Sequence, residues 1–419
     1  MRAMAADTSS PGSGTMETSG GDGAAALKEL FVKKCSDMAC PAPAAVLDDL
    51  SGPGPITSLK LNGNSKRLFN SRLTYMQVVA LCEALYEDTS VVSLDLSYNN
   101  LNDMAAQALG RLIKVNSMLR HLNLCGNDIT AAGAKALADA LASDECKLQV
   151  LLLPGNPLED EGVCLIGSAL NTNRSLQALD LCNTRAGILG IITVCNALGS
   201  DPDADGGGAG AGHEGSGACC PLESLDLGRP ILPGPQDTTV LAIGKMLATN
   251  GRLRHLALSK HGLSDSQLDT LATYGLLRNV GLASLDVHAN KLSAFSGPTL
   301  ERLLNDKREL TDLDLSFNPL GDGGALALAR CLPYTPWLCR VDVRSCGIGD
   351  AGLAALAEAL SLASHVTSLR VWGNAFGPAA SRAFFDTLAA AGDARPTIDI
   401  KPYAVDGVAQ VALADEAAE

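Results

Sequence analysis

A pattern of spaced leucines recurs along this chain and constrains its fold more than any other feature of the sequence. The template L-x-x-L-x-L-x-x-N-x-L fits eleven times, starting at residues 56, 91, 119, 148, 176, 222, 253, 282, 310, 338 and 366. Most successive starts are 28 or 29 residues apart, and the longer spacings are 35, 46 and 31 residues. One unit of this length cannot bury its own apolar face, so the sequence predicts that neighbouring units stack into a solenoid.

Each repeat combines a short strand pattern with a longer helix pattern. In "VVSLDL", Leu94 and Leu96 point to one side while Ser93 and Asp95 point to the other. In "AAGAKALADALAS" (131–143), apolar residues return every three or four positions, which is the helix period. Successive strands are expected to form a parallel sheet on the concave side, with helices on the convex side. The predicted fold class is α/β, a leucine-rich-repeat solenoid (horseshoe) of about eleven repeats.

Changes in composition divide the chain into a repeat region and its flanks. Residues 1–24 are rich in Ser, Gly and Thr and are predicted to be disordered, while residues 25–55 are predicted to form an N-terminal helical cap. The solenoid is expected over 56–394, with a flexible Gly- and Asp-rich insertion at 199–220. Residues 395–419 are expected to form a C-terminal cap and tail, because an uncapped solenoid exposes its core and a strand edge.

The Asn of each turn has a structural explanation. Its amide can donate to and accept from backbone groups where strand becomes loop, so stacked copies would form a ladder. The predicted ladder residues are Asn64, Asn99, Asn127, Asn156, Asn290, Asn318 and Asn374, with Cys346 in place of an Asn. Thr184, Pro230 and His261 interrupt the ladder in three consecutive repeats.

Composition argues against several classes of partner. The 419 residues carry a net charge of −14, whereas nucleic acids and anionic membranes require clustered Lys and Arg. No uninterrupted apolar run is long enough for a membrane span. We therefore expect neither nucleic acid nor a membrane as a direct partner.

Neither a metal centre nor a catalytic group can be nominated from the sequence. Thirteen cysteines are scattered without C-x-x-C or zinc spacing, which indicates reduced thiols in an intracellular protein. Cys219 and Cys220 lie near His213 in the insertion, where the segment "GAGHEG" has no strand before it and no helix after it. We expect no enzymatic activity, no cofactor, no metal and no small-molecule substrate.

The outward strand positions carry the candidate binding residues, because solenoids bind through their concave face. Adjacent aspartates in three repeats would attract a basic partner, unless the Asp of "LDL" is only the solvent-facing default of the repeat. Arg and Trp, which are enriched at interface hot spots, dominate the last two repeats, unless they form a solvated strand end with the Trp under the cap. The predicted partner-binding residues are Asp286, Asp314, Asp342, Arg340, Arg344, Arg370, Trp372 and Arg229.

One turn departs from the repeat pattern and displays an arginine. In "LDLGRPILPGPQDTT", Arg229 and Pro230 stand where other repeats approach the turn Asn. Proline cannot donate a backbone hydrogen bond and restricts the residue before it, so a normal Asn turn is not available. The spacing of 31 residues lets the chain bulge before a helix begins near Thr238, which makes Arg229 a displayed loop residue.

The repeats and their irregularities resemble a known family. The period with a full helix is similar to the ribonuclease-inhibitor-like leucine-rich-repeat family, and several stretches resemble one group of its animal members. Those stretches are "GNSKRLFNSRLT", "LDLCNTRAGILGIITV", "RPILPGPQDTTVLAIGKML", "SKHGL", "VWGNAF" and "IKPYAVDGVAQVALAD". The resemblance implies a docking protein without enzymatic activity, associated with nucleoli and ribosome biogenesis or with ciliated tissues.

Two functions follow from these patterns. The first is a non-enzymatic scaffold for a protein with a basic or mixed-charge surface, within a nucleolar assembly or an axonemal complex such as a radial spoke. The second follows from a resemblance, at class level, to the GTPase-activating protein of Ran, with an arginine aimed at a transferring phosphoryl group. The arginines considered for that role are Arg67, Arg72, Arg185 and Arg229. The expected location is the nucleus or nucleolus, or the cytoplasm including the motile cilium.

Overall fold

A unit of strand, turn and helix repeats along the chain in the computed structural model. The structure describes residues 22–51, 56–199, 220–234, 237–391 and 396–414. Most of the predicted disordered tail and of the predicted insertion lies outside these ranges. The repeated units form a leucine-rich-repeat α/β horseshoe, which confirms the predicted fold class.

Twelve parallel strands of the described residues form one sheet in chain order. The strands are β1 (Ser58–Lys60), β2 (Ser93–Asp95), β3 (His121–Asn123), β4 (Val150–Leu152), β5 (Ala178–Asp180), β6 (Ser224–Asp226), β7 (His255–Ala257), β8 (Ser284–Asp286), β9 (Asp312–Asp314), β10 (Arg340–Asp342), β11 (Ser368–Arg370) and β12 (Thr397–Ile398). Successive strands pair residue for residue, as Leu94 does with Leu122. Equivalent positions of neighbouring repeats are therefore neighbours across the sheet.

Helices cover the convex side and the N-terminal end. They are α1 (Asp22–Asp37), α2 (Ala44–Asp49), α3 (Tyr75–Leu85), α4 (Asp103–Val115), α5 (Ala131–Leu141), α6 (Glu159–Ala169), α7 (Ile188–Gly199), α8 (Asp237–Thr249), α9 (Asp265–Leu271), α10 (Gly297–Asp306), α11 (Gly321–Cys331), α12 (Asp350–Leu362) and α13 (Pro378–Ala390). A π-helical turn continues α9, and two 3₁₀ turns flank other helices, at Ala272–Leu276, Ala294–Ser296 and Leu332–Tyr334.

The core is one continuous apolar layer between the sheet and the helices. The central residue of each full strand, such as Leu94, Leu122 or Leu151, is at most 2% exposed. Full burial of a leucine side chain contributes about 1.5–3 kcal/mol, and each repeat buries several. Small residues bring neighbouring helices close together: a Cβ at Gly110 in α4 would lie 2.6 Å from the carbonyl oxygen of Ala136 in α5.

The turn Asn residues form the predicted ladder. Asn127 donates to the carbonyl oxygens of Leu96 and Leu124 at 3.1 and 2.9 Å, and its Oδ1 accepts from the N–H groups of Asn99 and Leu101, both at 3.0 Å. Each amide therefore joins the turn of its own repeat to that of the repeat before it. Equivalent bonds are made by Asn99, Asn156, Asn290, Asn318 and Asn374.

The prediction that Asn64 begins this ladder is wrong. Its side chain is exposed, and its Oδ1 accepts from Arg72 at 3.0 Å. Other ladder residues donate to the carbonyl three positions before them, but the equivalent carbonyl oxygen, of Leu61, accepts from Asn99 of the next repeat at 2.7 Å. The long first repeat places Asn64 outside the stacked turns.

Other side chains replace Asn where the ladder is interrupted. The hydroxyl of Thr184 donates to the Leu181 carbonyl at 2.7 Å, and the thiol of Cys346 donates to the Leu315 carbonyl at 3.2 Å. His261 Nε2 lies 2.9 Å from the carbonyl oxygen of Leu227. Burial lowers the pKa of His261 to about 4, so the neutral ring donates this bond.

A second set of Asn residues, which we did not predict, lies where the chain enters the strands. Asn173 donates to the carbonyl oxygen of Leu141 in the preceding repeat at 2.7 Å, and accepts from the N–H of Leu176 at 2.7 Å. The equivalent residues in other repeats are Asn116, Asn250 and Asn279. Both ends of a strand are thus tied to the neighbouring repeat by amide side chains.

Helix starts are capped by the repeat before them. Asp103, in the first turn of α4, accepts from the N–H groups of Thr130 and Gly133 at the start of α5, at 2.8 and 2.9 Å. These N–H groups have no partner within their own helix, and a carboxylate there also interacts favourably with the helix dipole. Equivalent caps between repeats come from Asp160, Asp265, Asp322 and Asp350. A good part of the chain's acidity therefore has a structural use.

The ends of the solenoid are covered. Phe31 of α1 and Leu50 after α2 are at most 1% exposed, and α1 begins at Asp22, within the segment expected to be tail. At the other end, β13 (Ile400–Val405) and β14 (Val408–Leu413) form an antiparallel hairpin. Between β12 and β13, the Asp399 carboxylate accepts from the N–H of Val371 at 2.8 Å, where earlier repeats use a backbone carbonyl.

Candidate interaction surface on the concave face

The strands present two rows of side chains on the concave face, because residues on either side of the buried central position point the same way. The first row runs Ser58, Ser93, His121, Val150, Ala178, Ser224, His255, Ser284, Asp312, Arg340, Ser368 and Thr397. The second row runs Lys60, Asp95, Asn123, Leu152, Asp180, Asp226, Ala257, Asp286, Asp314, Asp342 and Arg370. Neighbours within a row are about 5 Å apart across the sheet.

The aspartates of the second row have a structural role that the sequence analysis missed. The Oδ1 atom of Asp180 accepts from the N–H of Cys182 at 2.9 Å, which holds the chain as it leaves the strand. Asp95, Asp226, Asp286, Asp314 and Asp342 make the same bond to the residue two positions on. An Asn could also accept this bond, so the cap alone does not explain why the residue is charged.

Asp180 and Asp226 form a carboxylate pair without a direct ion pair, although the charges of His288 and Arg229 act on Asp226 from further away. They are register neighbours on β5 and β6, and within the described residues neither makes an ion pair with Lys or Arg. Burial raises the pKa of Asp180 to about 6, and the charge of Asp226 adds to the shift. Burial also raises the pKa of Asp226, which the N–H of Gly228 opposes. A cavity of about 230 Å³ opens over this pair and extends to Asp286.

The predicted stripe of Asp286, Asp314 and Asp342 lies in direct register across β8, β9 and β10. The three carboxylates differ in their partners. Asp286 lies 2.8 Å from Nδ1 of His288, and Asp314 accepts from the hydroxyl of Ser316 at 2.6 Å. Asp342 is only 9% exposed and faces two arginines. Asp286 and Asp314 are therefore the accessible members of the stripe, and their partner-binding role stays a prediction.

The arginines at the C-terminal end are partly neutralised by their neighbours. Nε of Arg344 lies 3.0 and 2.9 Å from the two carboxylate oxygens of Asp342, and Nη1 of Arg370 lies 4.0 Å from the same group. Arg340 is paired with Asp312 of the first row. Trp372 keeps 37% of its surface exposed beside them. This end of the face is a network of paired charges with exposed guanidinium edges.

The four arginines considered for phosphoryl chemistry have different settings. Arg67 donates to Asp49 at 2.7 Å and to the Ala45 carbonyl, which ties the first repeat to the N-terminal cap. Arg72 donates to two Asn side chains, and Arg185 lies 3.7 Å from Glu159. Arg229 has a φ of 56° and forms no ion pair with the described residues. It is an exposed turn residue, as predicted from its prolines.

One group of side chains has the composition of a metal site. Asp286, His288 and Asp314 place ligand-type atoms within 4.8 Å of one another, and no other such group occurs among the residues that the structure describes. Each member already has a hydrogen-bond partner in the protein, so we assign it no metal. Cys219 and His213, considered above, lie outside the described residues.

Comparisons with known proteins agree with this fold. A family model described as Leucine Rich repeat matches residues 87–110, 115–138, 308–329 and 336–357. NACHT, LRR and PYD domains-containing protein 5 of Homo sapiens is 29% identical over 273 residues, covering 65% of this chain and 21% of that protein. Ribonuclease inhibitor of Mus musculus is 26% identical over 258 residues, covering 60% of this chain and 51% of that protein. The chain matches about a fifth to a half of the length of these relatives.

A solved structure supports the same architecture. The Rad7 and Elc1 complex of yeast contains a chain that aligns with a TM-score of 0.51 at 15% identity, covering 87% of this chain and 86% of that chain. At this identity the similarity shows the fold alone. Within the described residues, no helix is both long and apolar enough to cross a membrane.

Proposed function

We propose that this chain is a non-enzymatic interaction scaffold whose concave face binds a basic segment of a partner protein. The observation that carries the proposal is the carboxylate pair of Asp180 and Asp226, which is partly buried and forms no direct ion pair within the described residues. A Lys or Arg of the partner would supply the missing charge and make ionisation of the pair favourable. Similarity to a protein named ribonuclease inhibitor supports binding rather than catalysis.

The partner surface would be of mixed charge. The acidic part of the face, from Asp180 to Asp314, would take basic side chains. The exposed edges of Arg340 and Arg370, next to Trp372, would take acidic and apolar side chains. Because Asp342 is already neutralised by Arg344, it would contribute by orienting the arginines rather than by direct contact.

Charge-neutral variants test this surface without breaking the turns. Asp180→Asn and Asp226→Asn, or Asp286→Asn and Asp314→Asn, keep the acceptor for the backbone N–H and remove only the charge. Asp95→Asn is the matched control, because its neighbours across the sheet are Lys60 and Asn123. Partners identified by proximity labelling and then purified should bind the paired variants at least about tenfold more weakly than the control. Equal affinity for all variants would place the interface elsewhere.

The assembly is a further part of the proposal. The stretches quoted above resemble leucine-rich-repeat-containing protein thirty-four of animals, which supports a nucleolar ribosome-biogenesis complex or an axonemal complex such as a radial spoke. Proximity labelling in the source cell distinguishes these settings, because nucleolar and axonemal neighbours barely overlap. Neighbours from neither compartment would refute both.

A second candidate function is activation of a Ran-type GTPase. One observation favours it: Arg229 is exposed at a turn and free of ion pairs with the described residues. A GTP-hydrolysis assay with Ran would show acceleration that Arg229→Ala abolishes, while Arg67→Ala tests for a merely structural effect. No acceleration by the wild-type chain would end this alternative.

A further inference from the structure

A groove crosses the convex side of the solenoid over α8, away from the concave face. It has a volume of about 660 Å³, larger than the cavities described on the concave side. Its floor contains Leu241, Ala242 and Ala248 of α8, and its walls come from α7 and from Tyr274 and Arg278 beyond α9. Leu241 and Tyr274 are 38% and 48% exposed.

Glycines allow α8 to pack closely against the helices that form the walls of this groove. A Cβ at Gly275 would lie 2.7 Å from Cα of Gly244, and a Cβ at Gly199 would lie 3.1 Å from Cα of Met246. The helix α8 therefore packs closely against its neighbours on both sides. The π-helical turn that contains Gly275 also carries Tyr274 to the rim, and such turns are frequent at functional sites.

The charge of the groove is opposite to that of the whole chain. Its charged lining residues, Lys245 and Arg278, are both basic, whereas the chain carries a net charge of −14. Neither forms an ion pair with the residues that the structure describes, and Arg278 lies 5.7 Å from the ring centroid of Tyr274. The α7 wall, "ILGIITVCNALG", has no charged residue at all.

We propose that an amphipathic helix of a partner protein docks in this groove, with its apolar ridge on α8 and acidic side chains facing Lys245 and Arg278. A helix fits because the groove runs between helices and offers no unpaired strand edge to an extended peptide. The floor helix of 13 residues gives a contact about 20 Å long. This surface is separate from the concave face and does not depend on the function proposed for it.

A displayed library of Ala- and Leu-based helical peptides, as long as α8 and variable at their polar positions, is the probe for this site. Selection against the full-length chain should enrich peptides with Asp or Glu along one edge of the apolar ridge. Lys245→Glu together with Arg278→Glu should weaken their binding at least about tenfold, and replacing the peptide's acidic residues with Lys should restore it. Lys135→Glu, an exposed position on α5, is the control and should bind like the wild type.

Several results would overturn the proposal. The first is that the selection enriches no peptide. The second is that enriched peptides bind the charge-reversed chain as well as the wild type. The third is that their binding is lost with Asp286→Asn and Asp314→Asn, which would place them on the concave face. Self-association of the wild-type chain that Lys245→Glu abolishes would assign the groove to a second copy. Peptide binding that requires removal of residues 201–219 would assign it to the chain's own segment.

Discussion

We expect Asp180→Asn to stabilise the fold at neutral pH, although it removes a charged residue from a solvent-facing row. The Asn side chain keeps the acceptor for the N–H of Cys182, so the turn after β5 is retained. What it removes is a carboxylate whose ionisation is opposed by burial and by the charge of Asp226. An unfavourable charge that persists in a fold is often a sign of selection for binding rather than for stability.

The magnitude follows from the difference in pKa between the folded and unfolded chains. The ordinary pKa is 3.8, and the folded value is about 6. Below about pH 4, the Asp180 carboxyl is protonated in both the folded and the unfolded wild type, so wild type and variant should differ little in stability. Between about pH 4 and 6, the unfolded wild type loses this proton before the folded one does. Wild-type stability therefore falls as pH rises through this range. Each pKa unit is worth about 1.4 kcal/mol, and partial exposure reduces the total to roughly 1–3 kcal/mol.

Urea denaturation between about pH 4.5 and 7.5 measures this effect. The stability gain of Asp180→Asn over the wild type should grow through this range and level off above about pH 6. Asp95→Asn, with Lys60 and Asn123 as its neighbours, should show no such gain. A difference that is independent of pH, or a variant less stable than the wild type at neutral pH, would refute the reasoning.

Three further changes in the free energy of unfolding, all measurable by urea denaturation, test the structural roles. Asn127→Ala should lose about 2–4 kcal/mol, because the N–H groups of Asn99 and Leu101 lose their acceptor and the carbonyls of Leu96 and Leu124 each lose one of two amide donors. Asn64→Ala should change it by less than about 0.5 kcal/mol, and similar losses would contradict the ladder. Gly275→Ala should cost more than about 1 kcal/mol, because the added Cβ would lie 2.7 Å from Cα of Gly244. Gly251→Ala should not, because the nearest atom to its added Cβ is 3.9 Å away. Asp322→Ala should lose about 1–2 kcal/mol with the cap of α12, and no loss would contradict that role.

The period of the sequence predicted the strands, the helices and most of the Asn ladder, because each follows from residue type at a fixed position in the repeat. The prediction for Asn64 was wrong because the first repeat is longer and its turn does not stack on the next one as the other turns do. Three of the caps between repeats had a signal that we did not use, an offset of 30 residues between the acceptor and a glycine. That offset separates Asp103 from Gly133, Asp160 from Gly190 and Asp322 from Gly352.

The interaction surfaces were less accessible from sequence. The sequence placed Asp286, Asp314 and Asp342 in register. It could not show that Arg344 pairs with Asp342 and leaves the other two accessible, because that depends on side-chain conformation. The isolation of Asp180 from any cation among the described residues is likewise a property of the three-dimensional neighbourhood. The groove over α8 could not be predicted, because it depends on how closely α8 packs against the helices on either side.

The caps between repeats give the stack a direction. Because each aspartate serves the helix that follows it, removing repeats from the N-terminal side strips the acceptor from the next helix start. Removing repeats from the C-terminal side leaves the caps of the remaining helix starts in place and frees a carboxylate that water can solvate, although the last turn loses the Asn of the next repeat. We therefore expect the helix starts to fray more readily at an artificially exposed N-terminal boundary than at a C-terminal one. During synthesis, each of these caps is made before the helix that it serves.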